Sequence, residues 1–237
     1  MVDKQQLVDG VDDFFKGSYD VKSGYVVPDV ADIAFGKVGR EMELAMLFID
    51  IRESTKIVDA FRRVTAAKMY KSFLWGITKI ARKNDGDVRS FNGDGVLVAF
   101  AGDSKRNNAV RAAMQMKWFC REILKSTLDS YFTSNQELQD LDFDFGIGID
   151  CGKILIVRGG MKGENNNDLV WVGNATNYAV KLSGLSKDGY NIYISESVYK
   201  SLSDEQKFGG TPLKNKWESR SWNDMDLYRT NWQWSLG

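Results

Sequence analysis

The chain contains one nearly uninterrupted apolar run, LAMLFIDI over residues 44–51, and its single charged residue is Asp50. A run with so little polar alternation is typical of a strand buried on both faces, which requires helices packed on its sheet. A carboxylate in such a strand is costly unless a cation or hydrogen-bond donors accompany it. The run therefore predicts a helix-covered sheet and singles out Asp50, with a turn acid or a helix N-cap as the alternative.

Two long segments follow this strand with helical periodicity. The first is predicted to be capped by Thr55 and to end near Asn84, and the second covers about 104–131 before a polar stretch. Further elements are predicted as strands over 143–150, 154–157, 169–172 and 192–194, helices over 175–185 and 196–202, a Gly/Asn-rich loop over 159–168, and closing strands in the Trp-rich tail.

Between the two long helices, a hairpin is predicted from strands over 87–91 and 96–100. The connection Asn92-Gly93-Asp94-Gly95 is a strong signal for a tight turn. Asp94 is then a turn residue, either an ordinary one or a second functional carboxylate. In a ferredoxin-like arrangement the first strand and this hairpin are neighbours, so Asp50 and Asp94 can converge.

Composition narrows the possible chemistry. Lys and Arg total 32, as do Asp and Glu, so no excess positive charge favours nucleic acid or an anionic membrane. The chain has no histidine, which excludes Ser-His and Cys-His catalysis and His-ligated zinc. Its two cysteines, Cys120 and Cys151, have no metal or disulfide spacing and are expected to be reduced and buried. No signal peptide or 18-residue apolar stretch occurs, so we expect a cytoplasmic protein.

The sequence predicts an N-terminal arm over 1–40 and a catalytic domain over 41–237. In the arm, Leu7, Val11, Phe14 and Phe15 recur at helical spacing. Strand-rich segments that alternate with helices predict an α+β fold, with a ferredoxin-like βαββαβ core and helices packed on an antiparallel sheet.

Five blocks of this sequence resemble, in order and spacing, those of class III adenylyl and guanylyl cyclase domains. They are FIDIREST (48–55), FNGDGVLVAF (91–100), FGIGIDCGKI (145–154), GNATNYAVKL (173–182) and IYISESVY (192–199). The resemblance implies a class III cyclase fold and a homodimer with active sites at the interface. It also implies cyclisation of a nucleoside triphosphate with two divalent ions, Mg²⁺ or Mn²⁺.

The resemblance also implies roles for individual residues. Asp50 and Asp94, with the backbone of Ile51, would hold the metal ions. Backbone amides from Ile51 through Arg52 and Ser54 to Thr55 would cradle the phosphates at a helix start. A late lysine, Lys214 or Lys216, would contact the triphosphate.

Two further positions match a pair that the partner subunit supplies in this family. Asn177 matches the asparagine that contacts the ribose, and Lys181 stands where the family has an arginine for the α-phosphate. An i, i+4 pair shares one helix face, so both can reach one substrate. Lysine keeps the charge but lacks the two-pronged donor geometry of arginine.

The positions that recognise the purine base in this family correspond to Ser90 and Val170. Neither position carries the amino acid that the family uses for adenine or the one that it uses for guanine. The pattern resembles the bacterial anti-phage pyrimidine cyclases of Pycsar systems, which make cyclic UMP or cyclic CMP for a separate effector protein. Arg52 is a further pocket candidate, since a guanidinium donates to a pyrimidine carbonyl. The alternatives are a purine cyclase with an unusual pocket, including one in which Asp168 replaces Val170, and a catalytically weak nucleotide-binding module.

Overall fold

The computed structural model describes residues 3–132, 143–163 and 166–236. Its strands are β1 (Asp20–Ser23), β2 (Val38–Ile51), β3 (Gly86–Asn92), β4 (Gly95–Phe100), β5 (Phe145–Gly160), β6 (Asn167–Val172), β7 (Ile192–Ser195), β8 (Phe208–Gly209), β9 (Lys214–Asn215), β10 (Glu218–Trp222) and β11 (Met225–Thr230). Its helices are α1 (Lys4–Phe15), α2 (Ser54–Ala60), α3 (Arg63–Lys83), α4 (Lys105–Trp118), α5 (Lys125–Phe132), α6 (Asn174–Ser183), α7 (Glu196–Lys200) and α8 (Asp204–Lys207).

One nine-stranded sheet organises these elements. Its main order is β10-β11-β7-β5-β2-β4-β3, while β1 pairs with the start of β2 and β6 pairs with the end of β5. The pairings are antiparallel except for β1 with β2 and β5 with β7. The predicted α+β class with a largely antiparallel sheet is confirmed.

The two faces of β2 belong to different cores, because successive side chains of a strand point to opposite faces. Ala45, Leu47 and Ile49 pack with α3 and α4, whereas Leu44, Met46 and Phe48 pack with α6. Helix α6 lies close to the sheet because β5 has glycines beneath it. A Cβ on Gly148 would lie 2.0 Å from the carbonyl oxygen of Ala179.

The N-terminal segment contacts the sheet through β1 and through the residues that follow it, since Val27 and Ile33 are buried in the core on the α6 face. β1 pairs with residues 38–41 of β2, and Asp13 at the end of α1 lies 3.0 Å from the ammonium of Lys37. Helix α1 itself has no buried residue. The segment before β2 therefore contributes a strand and two core side chains to the domain, whereas α1 buries none of its residues against the described part of the chain.

Several predicted elements differ from those observed. Thr55 does not cap one long helix: Glu53 occupies the N-cap position of α2 with a positive φ of 52° and no side-chain capping bond, and a break at Phe61 separates α2 from α3. The strands predicted over 143–150 and 154–157 form the single strand β5, because β2 pairs with it continuously from Gly39 to Ile51.

The second long helix is observed as α4 and α5 joined through a π-helical segment, Phe119–Leu124. Cys120 is buried as expected, but Cys151 is only half-buried. The polar stretch predicted after residue 131 and positions 164–165 of the predicted Gly/Asn-rich loop lie outside the described residues.

A cluster of polar side chains is buried beneath the start of β5. Asp144 accepts from Arg121 at 2.6 Å and from the amide of Asn191 at 2.9 Å. Lys117, only 4% exposed, donates to the carbonyl of Gly189 at 2.8 Å. Burial, together with the charge of Arg121, lowers the pKa of Lys117 from 10.5 to about 7.

The low pKa of Lys117 predicts a specific pH dependence of stability. Between pH 7 and 10.5 the unfolded chain binds a proton that the folded chain lacks, so the free energy of unfolding rises with pH. Relative to Lys117→Met, the unchanged protein should gain about 2–3 kcal/mol between pH 6 and pH 9. Urea unfolding at both pH values measures this gain. The matched control is Lys79→Met, a change of an exposed lysine on α3 that should show no such pH dependence.

Candidate active site

Two carboxylates meet where β2 ends. Asp50 is the penultimate residue of β2, and its side chain lies on the α6 face of the sheet, in line with Phe48. Asp94 lies in the two-residue turn between β3 and β4, next to Gly95, the first residue of β4. Since Ile49 pairs with Val96, the turn is held beside Asp50, and the two side chains share a hydrogen bond.

Gly95 makes this approach possible. A Cβ at that position would lie 2.5 Å from Phe48 and 3.1 Å from the Oδ1 atom of Asp50. Any side chain at Gly95 would therefore collide with the aromatic ring or the carboxylate. Gly95 is therefore required by packing, whereas Gly93 in the turn itself has a positive φ of 65°.

The carboxylate pair concentrates negative charge at a half-buried position, as expected of a site that binds a cation. Burial, and next the negative charge of Asp94, raises the pKa of Asp50 from 3.8 to about 6. The Oδ2 atom of Asp94 is buried without a hydrogen-bond partner. Two half-buried acidic groups with an unpaired oxygen between them fit a divalent cation, which prefers oxygen ligands.

The protein supplies few ligands beyond this pair. Within residues 3–132, 143–163 and 166–236, no group of three or more acidic or cysteine side chains converges on one point. The side chain of Ile51 is 3% exposed and packs in the core, so its only available ligand is the backbone carbonyl. Mg²⁺ is usually bound by one or two carboxylates and completed by waters and substrate phosphates, and this donor set fits that pattern.

Two hydrogen bonds fix the loop that follows Asp50. The amide of Arg52 donates to the carbonyl of Asp144 at 2.9 Å, so this amide does not face a phosphate. Ser54 is half-buried and Thr55 is exposed, and the hydroxyl of Tyr70 donates to the carbonyl of Ser54 at 3.2 Å. The polar cluster around Asp144 and the hydroxyl of Tyr70 therefore fix the position of this loop.

Arg52 is also near both the carboxylates and α6. Its positive charge lowers the pKa of Asp50, although burial and Asp94 outweigh this effect. One guanidinium nitrogen lies 3.9 Å from where a Cβ of Gly184 would stand, at the C-terminal end of α6. A helix C-terminus attracts cations, so this location also has a structural explanation.

Asn177 and Lys181 are exposed on α6, on the side facing away from the sheet. The buried residues of this helix, which define its packed face, are Ala175, Ala179, Leu182 and Ser183. At 100° per residue, Asn177 and Lys181 lie nearly opposite that face. In the described part of the chain neither makes a hydrogen bond or ion pair with Asp50 or Asp94.

The remaining site candidates lie away from the carboxylates. Ser90 is half-buried on β3 and pairs with Leu97, which places it on the same sheet face as Asp50. Val170 is 46% exposed on β6, where it pairs with Val157. Lys214 is exposed on β9, and Lys216 follows it just beyond that strand.

Sequence reasoning missed two parts of this site. Tyr70 lies next to Met69 on the packed side of α3, and nothing in the helical periodicity distinguished it from a core residue. Burial and the charges of Asp94 and Asp50 raise the pKa of its hydroxyl, which shows how close the residue lies to the carboxylates. The cluster around Asp144 was missed because its members come from three distant segments of the chain.

Comparisons with known proteins agree with this arrangement. Residues 37–227 match the model of the adenylate and guanylate cyclase catalytic domain. The chain is 35% identical to a uridylate cyclase from Xanthomonas perforans over 98% of both chains. It is 29% identical to a uridylate cyclase from Burkholderia cepacia, over 95% of this chain and 96% of that protein.

Solved structures give the same picture of the fold. The adenylyl cyclase CyaB from P. aeruginosa superposes with a TM-score of 0.63 at 20% identity, over 81% of this chain and 95% of that one. At this level of identity the likeness concerns the fold alone. No helix within the described ranges has the length and hydrophobicity needed to cross a lipid bilayer.

Repulsion between the two carboxylates predicts an unusual effect of Asp50→Asn. Without metal the variant should be more stable than the unchanged protein, by on the order of 1 kcal/mol at pH 8 once solvent screening is allowed for. With Mn²⁺ and a triphosphate, only the unchanged protein should gain stability. Thermal unfolding in EDTA and in Mn²⁺ measures both effects.

The matched control is Asp59→Asn, which removes an exposed carboxylate from α2. It should change neither the metal-free stability nor the response to Mn²⁺. A loss of stability of Asp50→Asn in EDTA would show that the pair is not repulsive and would count against a cation site.

Proposed function

The chain belongs to the adenylate and guanylate cyclase catalytic-domain family, and we propose that it converts UTP into 3′,5′-cyclic UMP and pyrophosphate. As a member of this family it is a nucleotidyl cyclase, a phosphorus–oxygen lyase. The observation that carries the choice of substrate is its likeness, over almost its whole length, to proteins named uridylate cyclases. The absence of both family purine-reading residues, at Ser90 and Val170, supports the same choice.

The reaction needs no side-chain nucleophile from the protein. The ribose 3′-oxygen attacks the α-phosphorus, the bond to the bridging oxygen of the β-phosphate breaks, and pyrophosphate leaves while the 3′-hydroxyl proton passes to solvent. Bound divalent ions would activate the 3′-hydroxyl and neutralise charge on the phosphates. The lack of histidine is therefore compatible with the reaction.

Asp50 and Asp94 are the residues that would hold the metal ions, with the carbonyl of Ile51 as a further ligand. Ser54 and Thr55 follow them in the loop that Tyr70 and Asp144 hold in place. Since the amide of Arg52 is already bonded, contacts to the phosphates in this segment would come from positions 53–55. Lys214 or Lys216 would add a cation to the triphosphate.

Asn177 and Lys181 would act on the substrate bound to a second copy of the chain. Their exposure on the outer face of α6 supports this, because that face points away from the carboxylates of their own chain. Asn177 would hold the ribose and Lys181 would neutralise the α-phosphate. The enzyme would then be a homodimer with its active sites at the interface.

The cyclic nucleotide would act as a signal that a separate binding protein detects. The resemblance to bacterial anti-phage pyrimidine cyclases is the basis for proposing a role in defence. The test is whether cyclic UMP rises in cells that express the chain only after phage infection, with Asp94→Ala as the inactive control.

The choice of base can be tested with four separate incubations. The purified chain with Mn²⁺ and UTP should release pyrophosphate and cyclic UMP, at a rate at least about 10²-fold above that with ATP or GTP, since no polar purine-reading group is present. Chromatography with mass detection identifies each product. Asp94→Ala should lower the rate to background.

Each other outcome has a definite meaning. Preferred use of CTP would show that the enzyme selects cytosine rather than uracil. Use of ATP would favour the alternative in which Asp168, two residues from Val170 on the same face of β6, reads adenine. No product with any triphosphate would favour a nucleotide-binding module, for which Lys181 in place of arginine is the supporting observation.

The two-chain site predicts complementation between inactive variants. Mixing Asp50→Ala with Asn177→Ala should restore about one quarter of the activity, because half of the dimers are mixed and each has one complete site. Steady-state turnover of UTP after verified subunit exchange measures this recovery. Asn177→Ala alone should lower turnover by about 10²–10³-fold.

The control is a mixture of Asp50→Ala with Asp94→Ala, since both changes damage the same half of the site. It should recover nothing. Equal failure of both mixtures would mean that Asn177 serves the carboxylates of its own chain.

A further inference from the structure

An apolar groove runs between α3 and the helical segment that continues α4, on the side of these helices away from the sheet. Its volume is about 700 Å³. It is lined by Met69 and Trp75 from α3 and by Phe119, Ile123, Leu128 and Tyr131 from the facing segment. Trp75 is 64% exposed and Tyr131 is 78% exposed. Large side chains this open on two neighbouring helices mark an interaction surface.

The charged residues that line this groove all have the same sign. Lys68 and Lys71 are part of its lining, which contains no acidic residue. The whole of α3 carries six cations and no acid. The surface therefore favours a partner that is apolar on one face and acidic beside it.

Helix α1 has these properties. Leu7, Val11 and Phe14 form one face at i, i+4 and i+7, and each is more than half exposed. With its N-cap, the helix contains Asp3, Asp9, Asp12 and Asp13 against the single cation Lys4. Helix and groove also agree in length. The 12 residues of α1 span about 18 Å, as do residues 119–131 of the groove wall.

The fold prevents α1 from reaching the groove of its own chain. β1 is paired with the start of β2, whereas α2 and then the groove-lining part of α3 follow the other end of β2. The 14 residues of β2 span about 43 Å. Only Lys16–Tyr19 separate Phe15 from β1, and this connection extends at most about 17 Å. A helix held by β1 therefore has to bind elsewhere.

We propose that α1 of one chain docks in the groove between α3 and α5 of a second copy, so that the two N-terminal segments are exchanged in a dimer. Leu7, Val11 and Phe14 enter the groove as a helix-in-groove anchor. The acidic side chains lie beside Lys68 and Lys71. The inference does not depend on the proposed base or reaction, and it gives a binding role to residues that precede the matched family domain.

A disulfide between two chains tests this directly. One full-length chain carries Val11→Cys and the other, with a longer tag, carries Ser72→Cys, both with Cys151→Ser to remove the half-buried thiol. Ser72 lines the groove and is exposed, so the serine-to-cysteine change is nearly isosteric. After co-expression and mild oxidation, a non-reducing gel should show the mixed dimer at least about ten times more abundant than with Ser126→Cys, an exposed α5 serine outside the groove.

Charge reversal provides an independent measurement. Lys68→Glu with Lys71→Glu should reduce the mixed cross-link several-fold, and adding Asp9→Lys with Asp12→Lys in the other chain should restore it. Lys79→Glu, which reverses an exposed charge on α3 outside the groove, should leave it unchanged. Circular dichroism confirms that each variant is folded.

Two outcomes would overturn the proposal. A chain that carries both Val11→Cys and Ser72→Cys and forms only an intramolecular bond would show that α1 binds its own groove. Predominant linkage of Val11→Cys to Val11→Cys would show that two α1 helices pair with each other. Both are read from gel mobility, so they are distinct from a failure to convert UTP, which is read from the product.

Discussion

The repulsion between Asp50 and Asp94 is the constraint around which the site is built. Burial, and next the nearby negative charge of Asp94, raises the pKa of the Asp50 carboxyl to about 6. The sheet holds them together because Ile49 pairs with Val96 and because Gly95 leaves room for the carboxylate. The folded chain thus maintains an arrangement that is unfavourable until a cation arrives. The packing of β2 and β4 offsets the unfavourable free energy of this arrangement.

The position of α6 follows from the same sheet. Gly148 allows the helix to lie directly on β5, and the buried alanines on its inner side leave Asn177 and Lys181 on its outer side. A helix packed so closely cannot turn these residues toward the carboxylates of its own chain. Under the proposed function, catalysis by all four residues would therefore require a second chain. Dimerisation would then be a condition for activity, and any contact that positions the two chains, including the one proposed for α1, would affect the rate.

The sequence was most informative where a local pattern alone determines the structure. The apolar run around Asp50 gave the strand, and Asn92–Gly95 gave the hairpin, because strand burial and tight turns depend on a few adjacent residues. The break between α2 and α3 was missed because the extended backbone at Phe61 and Arg62 interrupts the helix without leaving a mark in the hydrophobic periodicity. β5 was divided in two because Gly152 and Lys153 look like a turn, while pairing with β2 keeps them extended. Tyr70 and Asp144 act through contacts that only the folded chain creates.

If Ser90 and Val170 contact the base as proposed, their identity limits how the base is selected. A pocket that pairs with polar groups on one base discriminates by factors of about 10⁴–10⁵, whereas an apolar pocket discriminates by size and only about 10–200-fold per methylene. Valine on β6 thus favours exclusion of the larger purine ring. Uracil and cytosine have the same size and differ in whether position 4 accepts or donates a hydrogen bond. A serine hydroxyl does both, so it does not separate them. Arg52 only donates, and a donor-only group facing position 4 would select uracil over cytosine.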